Sequence, residues 1–249
     1  MVREPLIIMA CAPDAGAPGD VRQNTEAILR RVAQAKARGA QLLVLPELCL
    51  SGSGLGSLYL HQTLAEACEK AALSVAAACG KMRCVFGLPL LDDGRAYSAL
   101  ALAEGGVITR FALKRGLTDG QKAVFSPGYQ GTIGFDGRTL PCGTEGEMTI
   151  DAEGFDRVRA VFPDDLAEHL EKINGNGERT VYALPGLEPA IAGRMGLLAP
   201  ALAALLPRGA VLAYANAGAN ESTTDLVYAG DAASPRAAAR MQQIGRAHV

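Results

Sequence analysis

The chain predicts an α/β fold, and three observations carry that expectation. Residues 6–12 (Leu-Ile-Ile-Met-Ala-Cys-Ala) and 42–45 (Leu-Leu-Val-Leu) are short continuous apolar runs of the kind that form strands buried on both faces. Between them, Ile28, Leu29, Val32 and Ala35 recur at helical spacing, with Arg30, Arg31, Lys36 and Arg38 placed outside. The joins are short, and strand, helix and strand in quick succession require a parallel pair.

Each element carries its own punctuation. Asp20 or Asn24 can cap the first helix, and Gly39 ends it. Residues 64–78 form a second, Ala-rich helix that exposes Glu66, Glu69 and Lys70. Residues 84–87 and 99–103 read as strands joined through Asp92-Asp93-Gly94. Gly105-Gly106 turns the chain back into a strand at 107–111, which delivers Lys114. Residues 168–177 read as a helix running into an Asn-Gly-Asn-Gly loop. Gly52-x-Gly54-x-Gly56 lacks the dinucleotide-binding spacing and no P-loop Lys follows, so it is expected to be a flexible turn. No repeat or linker divides the chain, which predicts a single domain over residues 1–243.

Composition narrows the function. The net charge is −2 and Trp is absent, which argues against nucleic acid and anionic membrane as partners. The six cysteines show no metal-binding spacing and only three His occur, so no metal site is expected and the thiols read as reduced and cytoplasmic. The N-terminus lacks a signal-peptide pattern, and the apolar stretch 197–206 is too short and Pro-interrupted to span a bilayer.

Residues 40–52 (A-Q-L-L-V-L-P-E-L-C-L-S-G) hold the most chemical information. The strand runs into Pro46-Glu47, which sets Glu47 at its C-terminal mouth, where open α/β sheets bind ligands. A carboxylate there is costly to bury unpaired. From position alone, a turn cap or a partner for a surface Lys is the simpler reading.

With Asn24, Gly39-Ala40, Leu45-Pro46-Glu47-Leu48 and Leu50-Ser51-Gly52, the chain resembles the nitrilase (carbon–nitrogen hydrolase) superfamily. Later stretches are similar to the glutaminase domain of glutamine-dependent NAD synthetases: Val85-Phe86-Gly87-Leu88-Pro89, Tyr97-Ser98-Ala99-Leu100, Phe111-Ala112-Leu113-Lys114-Arg115, and the Gly-Ala-Asn-Glu-Ser-Thr-Thr-Asp-Leu run at 218–226. The resemblance implies an α-β-β-α sandwich. It also implies a Cys nucleophile that attacks an amide, a Glu base and a Lys that stabilises thiolate and oxyanion. It places the base at Glu47 and the cation at Lys114.

The nucleophile is missing. The six cysteines all precede the segment in which the family carries an apolar strand ending in Cys-Glu-Asp. One register of that pattern puts the position at Val161, and another puts it at Leu184; neither residue has a thiol or hydroxyl. Cys49, two residues beyond Glu47, is the one substitute within reach, although its Leu-Cys-Leu setting suits a small core residue. The loop after Lys114 carries no Glu before Gly128, Ser53 stands where the family has Tyr, and Ser98 where Asn is usual. These departures predict a degenerate glutaminase with a structural role. The alternatives are a standalone amide-binding module, or an amidohydrolase that uses Cys49. The resemblance further implies glutamine or another small amide as ligand, a homo-oligomer, and a synthetase domain beyond residue 243. No cofactor is expected in this chain, ATP and Mg²⁺ belonging to that further domain. Residues 244–249 match one reading frame of a common sequencing adapter and are expected to be foreign to the domain.

Overall fold

Strand β1 (Ile8–Ala10), helix α1 (Val21–Ala37) and strand β2 (Leu42–Val44) form the parallel unit that the sequence predicts, with Ile8 opposite Leu42. The computed structural model describes residues 6–13, 17–152, 155–172, 179–187, 210–217 and 223–229. Asp20 is the N-cap of α1 and accepts the Gln23 N–H at 2.9 Å. Asn24 lies inside the first turn, buried, and its amide donates to the carbonyls of Ala17 and Leu50. Gly39 follows the helix with φ +71°, the left-handed conformation that ends helices cheaply only at glycine. Arg31 is not outside as expected. It lies three residues on from Ile28, borders the buried stripe, and donates from Nε to the Ala12 carbonyl at 3.1 Å.

Helix α2 (Gln62–Cys79) packs beside α1, and both bury Ile28, Val32, Val75 and Ala76 against Phe86 and Phe111 of the first sheet. That sheet continues with β3 (Arg83–Asp92), β4 (Arg95–Glu104), β5 (Val107–Leu113), β6 (Gly131–Phe135) and β7 (Arg138–Gly143), in the order β1-β2-β3-β4-β5-β7-β6. Strands β3 and β4 are longer than the runs 84–87 and 99–103 suggest, because Leu88 and Leu90 prolong the buried stretch. Their turn holds Asp93 and Gly94 at φ 46° and 72°, the two positive values of a twist-matched hairpin.

The second sheet contains β8 (Gly146–Ala152), β9 (Phe155–Ala160), β10 (Thr180–Gly186), β11 (Val211–Ala217) and β12 (Thr223–Ala229), in the order β12-β11-β10-β9-β8. Strands β9, β10 and β11 run parallel. Leu42, Val44, Val85, Leu100 and Ala112 of one sheet meet Val158, Ala160, Val181 and Ala213 of the other in an apolar inter-sheet core. On the far face, Tyr182, Leu184, Leu212 and Tyr214 are covered by Leu166 and Leu170 of α4 (Leu166–Lys172). The layers are therefore α-β-β-α. The end of the predicted helix-and-loop segment at 173–177, the stretches 197–206 and 218–222, and the tail 244–249 lie outside the described residues. Among the described residues no helix is long and apolar enough to cross a membrane.

Candidate active site

Beyond β2 the chain bends across the ends of both sheets. The Leu45 N–H donates to Val85 O at 2.8 Å in the first sheet, and the Glu47 N–H donates to Gly186 O at 3.3 Å in the second. Leu48 then takes φ +52°, a left-handed conformation unusual for a leucine. Gly87 makes this bend possible: a Cβ there would sit 2.3 Å from Leu48 N and 2.6 Å from Glu47 Cα. The local rule that sets Glu47 is thus a close backbone approach.

Lys114 follows β5, with its N–H donating to Ser98 O at 2.9 Å. Its Nζ donates to Glu47 Oε2 at 2.9 Å and lies 2.6 Å from Asp164 Oδ2. The Phe162 ring lies under the ammonium, 5.5 Å from it. The second Glu47 oxygen accepts from Ser98 Oγ at 2.8 Å and Gln121 Nε2 at 3.2 Å. Glu47 and Lys114 are 1% and 3% exposed, so the pair is desolvated. Burial pushes the Glu47 carboxyl above its ordinary range, against the opposing pull of Lys114 and Ser98. Burial works the other way on Lys114, but Glu47 and Asp164 outweigh it and raise its pKa.

Two further residues fix the surroundings. Asp165 accepts the N–H groups of Arg115 and Gly116 at 3.0 and 2.6 Å, so the chain after β9 is tied to the chain after β5. Helix α3 (Asp119–Lys122) opens with a capping box between Thr118 and Gln121. Gln121 Oε1 accepts the Thr118 N–H at 3.1 Å, which aims its Nε2 at Glu47.

In front of the pair lies a cavity of about 530 Å³. Lys114, Gln121, Pro163 and Asp164 form its polar end, and the Tyr59 and Phe125 rings, 4.7 Å apart, line its side. Gly54 and Gly56, expected to be a flexible turn, form part of the wall. Among the described residues no three His, Cys, Asp or Glu side chains converge as metal ligands.

The structure brings Glu47 and Lys114 together, while neither expected nucleophile position reaches the cavity among its described lining residues. Val161 is fully buried, with its N–H on Ala183 O at 3.0 Å. Leu184 is buried in the cluster on the far face of the second sheet. The chain turns into the cavity two residues after Val161, at Pro163. Cys49 does not line the cavity either. Its Sγ faces Gly87 O at 3.4 Å within the helix-side core, and burial pushes the thiol up to about 12. Sequence reasoning missed Asp164 and Gln121 as partners of the pair. The Thr-x-x-Gln capping signature and the acidic pair after an apolar strand were the available signals.

The α-β-β-α fold is similar to that of solved amidases and of glutamine-dependent NAD(+) synthetases. A Cys-to-Ser mutant of the Nesterenkonia AN1 amidase from the nitrilase superfamily superposes with a TM-score of 0.66 at 21% identity, over 91% of this chain and 85% of its own. A glutamine-dependent NAD(+) synthetase from Cytophaga hutchinsonii superposes with a TM-score of 0.74 at 21% identity, over 89% of this chain and 39% of its own. In sequence, the chain is 29% identical over 248 residues to the glutamine-dependent NAD(+) synthetase of Mycobacterium leprae, covering 90% of this chain and 34% of that protein. The chain therefore spans about a third of the length of the curated relative it matches. No family model matches it. In another form of the Nesterenkonia amidase, the acetamide moiety of fluoroacetamide is bound covalently at the active-site cysteine.

Proposed function

We propose that this chain is a glutaminase-like domain of the NAD synthetase type that keeps the amidase Glu–Lys pair but has lost its nucleophile. Its role is to hold a small amide and support a synthetase domain, not to supply ammonia by hydrolysis. The observation that carries this reading is Pro163 at the cavity's polar end. Pro163-Asp164-Asp165 follows β9 as Cys-Glu-Asp follows the apolar strand in the family pattern, and proline has no atom that can attack a carbonyl.

In an intact site, Glu47 would take the thiol proton and pass it to departing ammonia, while Lys114 would stabilise the thiolate and the tetrahedral oxyanion. Here the Lys114 ammonium is already held by a second carboxylate, Asp164, at 2.6 Å. Cys49 is no substitute, because its thiol is buried on the helix side and stays protonated at neutral pH. On this reading the ATP and Mg²⁺ of a synthetase belong to the synthetase domain. Six buried free cysteines agree with a reducing, cytoplasmic setting, and a homo-oligomer is part of the same proposal.

Ammonia release from glutamine by the purified chain is the test. The reading expects a rate no greater than the blank. Turnover that disappears in Glu47→Ala would overturn it.

A further inference from the structure

We infer that the cavity takes a small ligand with a cationic head, a primary ammonium seated on Asp164, in preference to a carboxylate. The inference rests on the non-hydrolytic reading above and gives that site a ligand class.

The charges decide it. Lys114 and Asp164 are the charged side chains among the described cavity-lining residues, and Glu47 lies directly behind them. The ammonium is 3% exposed and shared between two carboxylates at 2.9 and 2.6 Å, so its charge is neutralised from within. Asp164 is 34% exposed and holds Lys114 through Oδ2, which leaves its Oδ1 outside that ion pair. With Glu47 ionised behind them, the three side chains carry one net negative charge, and Asp164 is the carboxylate that lines the cavity. An incoming carboxylate meets Asp164 with no uncommitted cation among the described lining residues, whereas an ammonium gains a charge-assisted hydrogen bond there. The rest of the wall suits the same guest. The Tyr59 and Phe125 rings present aromatic surface of the kind that holds cations, and Leu48, Val124 and Leu187 accommodate an alkyl chain.

The test compares n-butylammonium, butyramide and butyrate at matched ionic strength, by calorimetry and thermal shift on the purified chain. Butylammonium is expected to bind at least about tenfold more tightly than butyrate, the scale of one hydrogen bond to a charged group. Butyramide should fall between them. Asp164→Asn should remove the ammonium preference, with circular dichroism confirming the fold, and Tyr59→Leu should weaken butylammonium about threefold. Butyrate binding as tightly as butylammonium, an undetectable ammonium, or an unchanged preference in Asp164→Asn would each overturn the inference. Should Asp164→Asn fail to fold, the wild-type ranking of the three probes decides alone. Glutamine turnover in the same preparation would sink the non-hydrolytic reading and leave that ranking to be judged separately.

Discussion

Gly87 and Glu47 are in backbone contact: a methyl group on Gly87 would lie 2.6 Å from the Glu47 Cα. No flexible side-chain end can give way there, because the obstructing atoms are main chain. Gly87→Ala should therefore cost about 2–3 kcal/mol, the upper range for forced overpacking, measured by urea unfolding. It should also displace Glu47 and weaken binding of cavity ligands. A loss below about 0.5 kcal/mol, the range of ordinary surface changes, would show that the close approach is not required.

The buried ion pair has an asymmetry that a mutant comparison exposes. Removing Lys114 leaves Glu47 and Asp164 facing each other without a cation, whereas removing the Glu47 charge leaves Lys114 still paired with Asp164. Lys114→Met should cost about 3 kcal/mol or more, and Glu47→Gln clearly less. Equal losses in chemical denaturation would show that Asp164 contributes nothing to holding the lysine.

Stability should fall on the alkaline side because of Lys114. Its folded pKa is raised above the ordinary 10.5, with burial outweighed by Glu47 and Asp164. A raised folded pKa means stability that is fully present below 10.5 and is lost as pH rises through the folded value. The melting temperatures of wild type and Lys114→Met should therefore converge above pH 10.5. Parallel curves throughout would remove the lysine from this role.

Thiol reactivity separates the candidate nucleophile positions. Burial pushes both Cys49 and Cys68 up to about 12, so neither should react with iodoacetamide near neutral pH until the protein unfolds. A thiol introduced by Pro163→Cys, at the cavity beside Lys114, should be alkylated in the native state, and one introduced by Val161→Cys should not. Peptide mapping by mass spectrometry reads all four sites. Native labelling of Cys49 would revive the hydrolase alternative.

The readable parts of this chain were those set by local pattern. Periodicity gave α1, and continuous apolar runs gave the strands that deliver Glu47 and Lys114. What could not be read was set by distance in space. Glu47 and Gln121 are 74 residues apart, and no local signal says that a capping-box glutamine reaches back to a carboxylate. The register of the expected nucleophile segment was hard to place for a related reason. An apolar run does not show where hydrogen bonding stops, and β9 ends at Ala160 while Val161 and Phe162 remain buried before the chain turns outward. Arg31 misled because a long side chain on the edge of a buried stripe can satisfy its charged end on a backbone carbonyl.

The seam between the sheets has a further consequence. Glu47 N–H on Gly186 O, Lys114 on Asp164, and Asp165 on the amides of Arg115 and Gly116 stitch one sheet's strand ends to the other's. A fastening of this kind constrains its residues whether or not any bond is ever broken in the cavity. Glu47 and Lys114 thus take part in joining the two sheets, a role independent of any chemistry in the cavity.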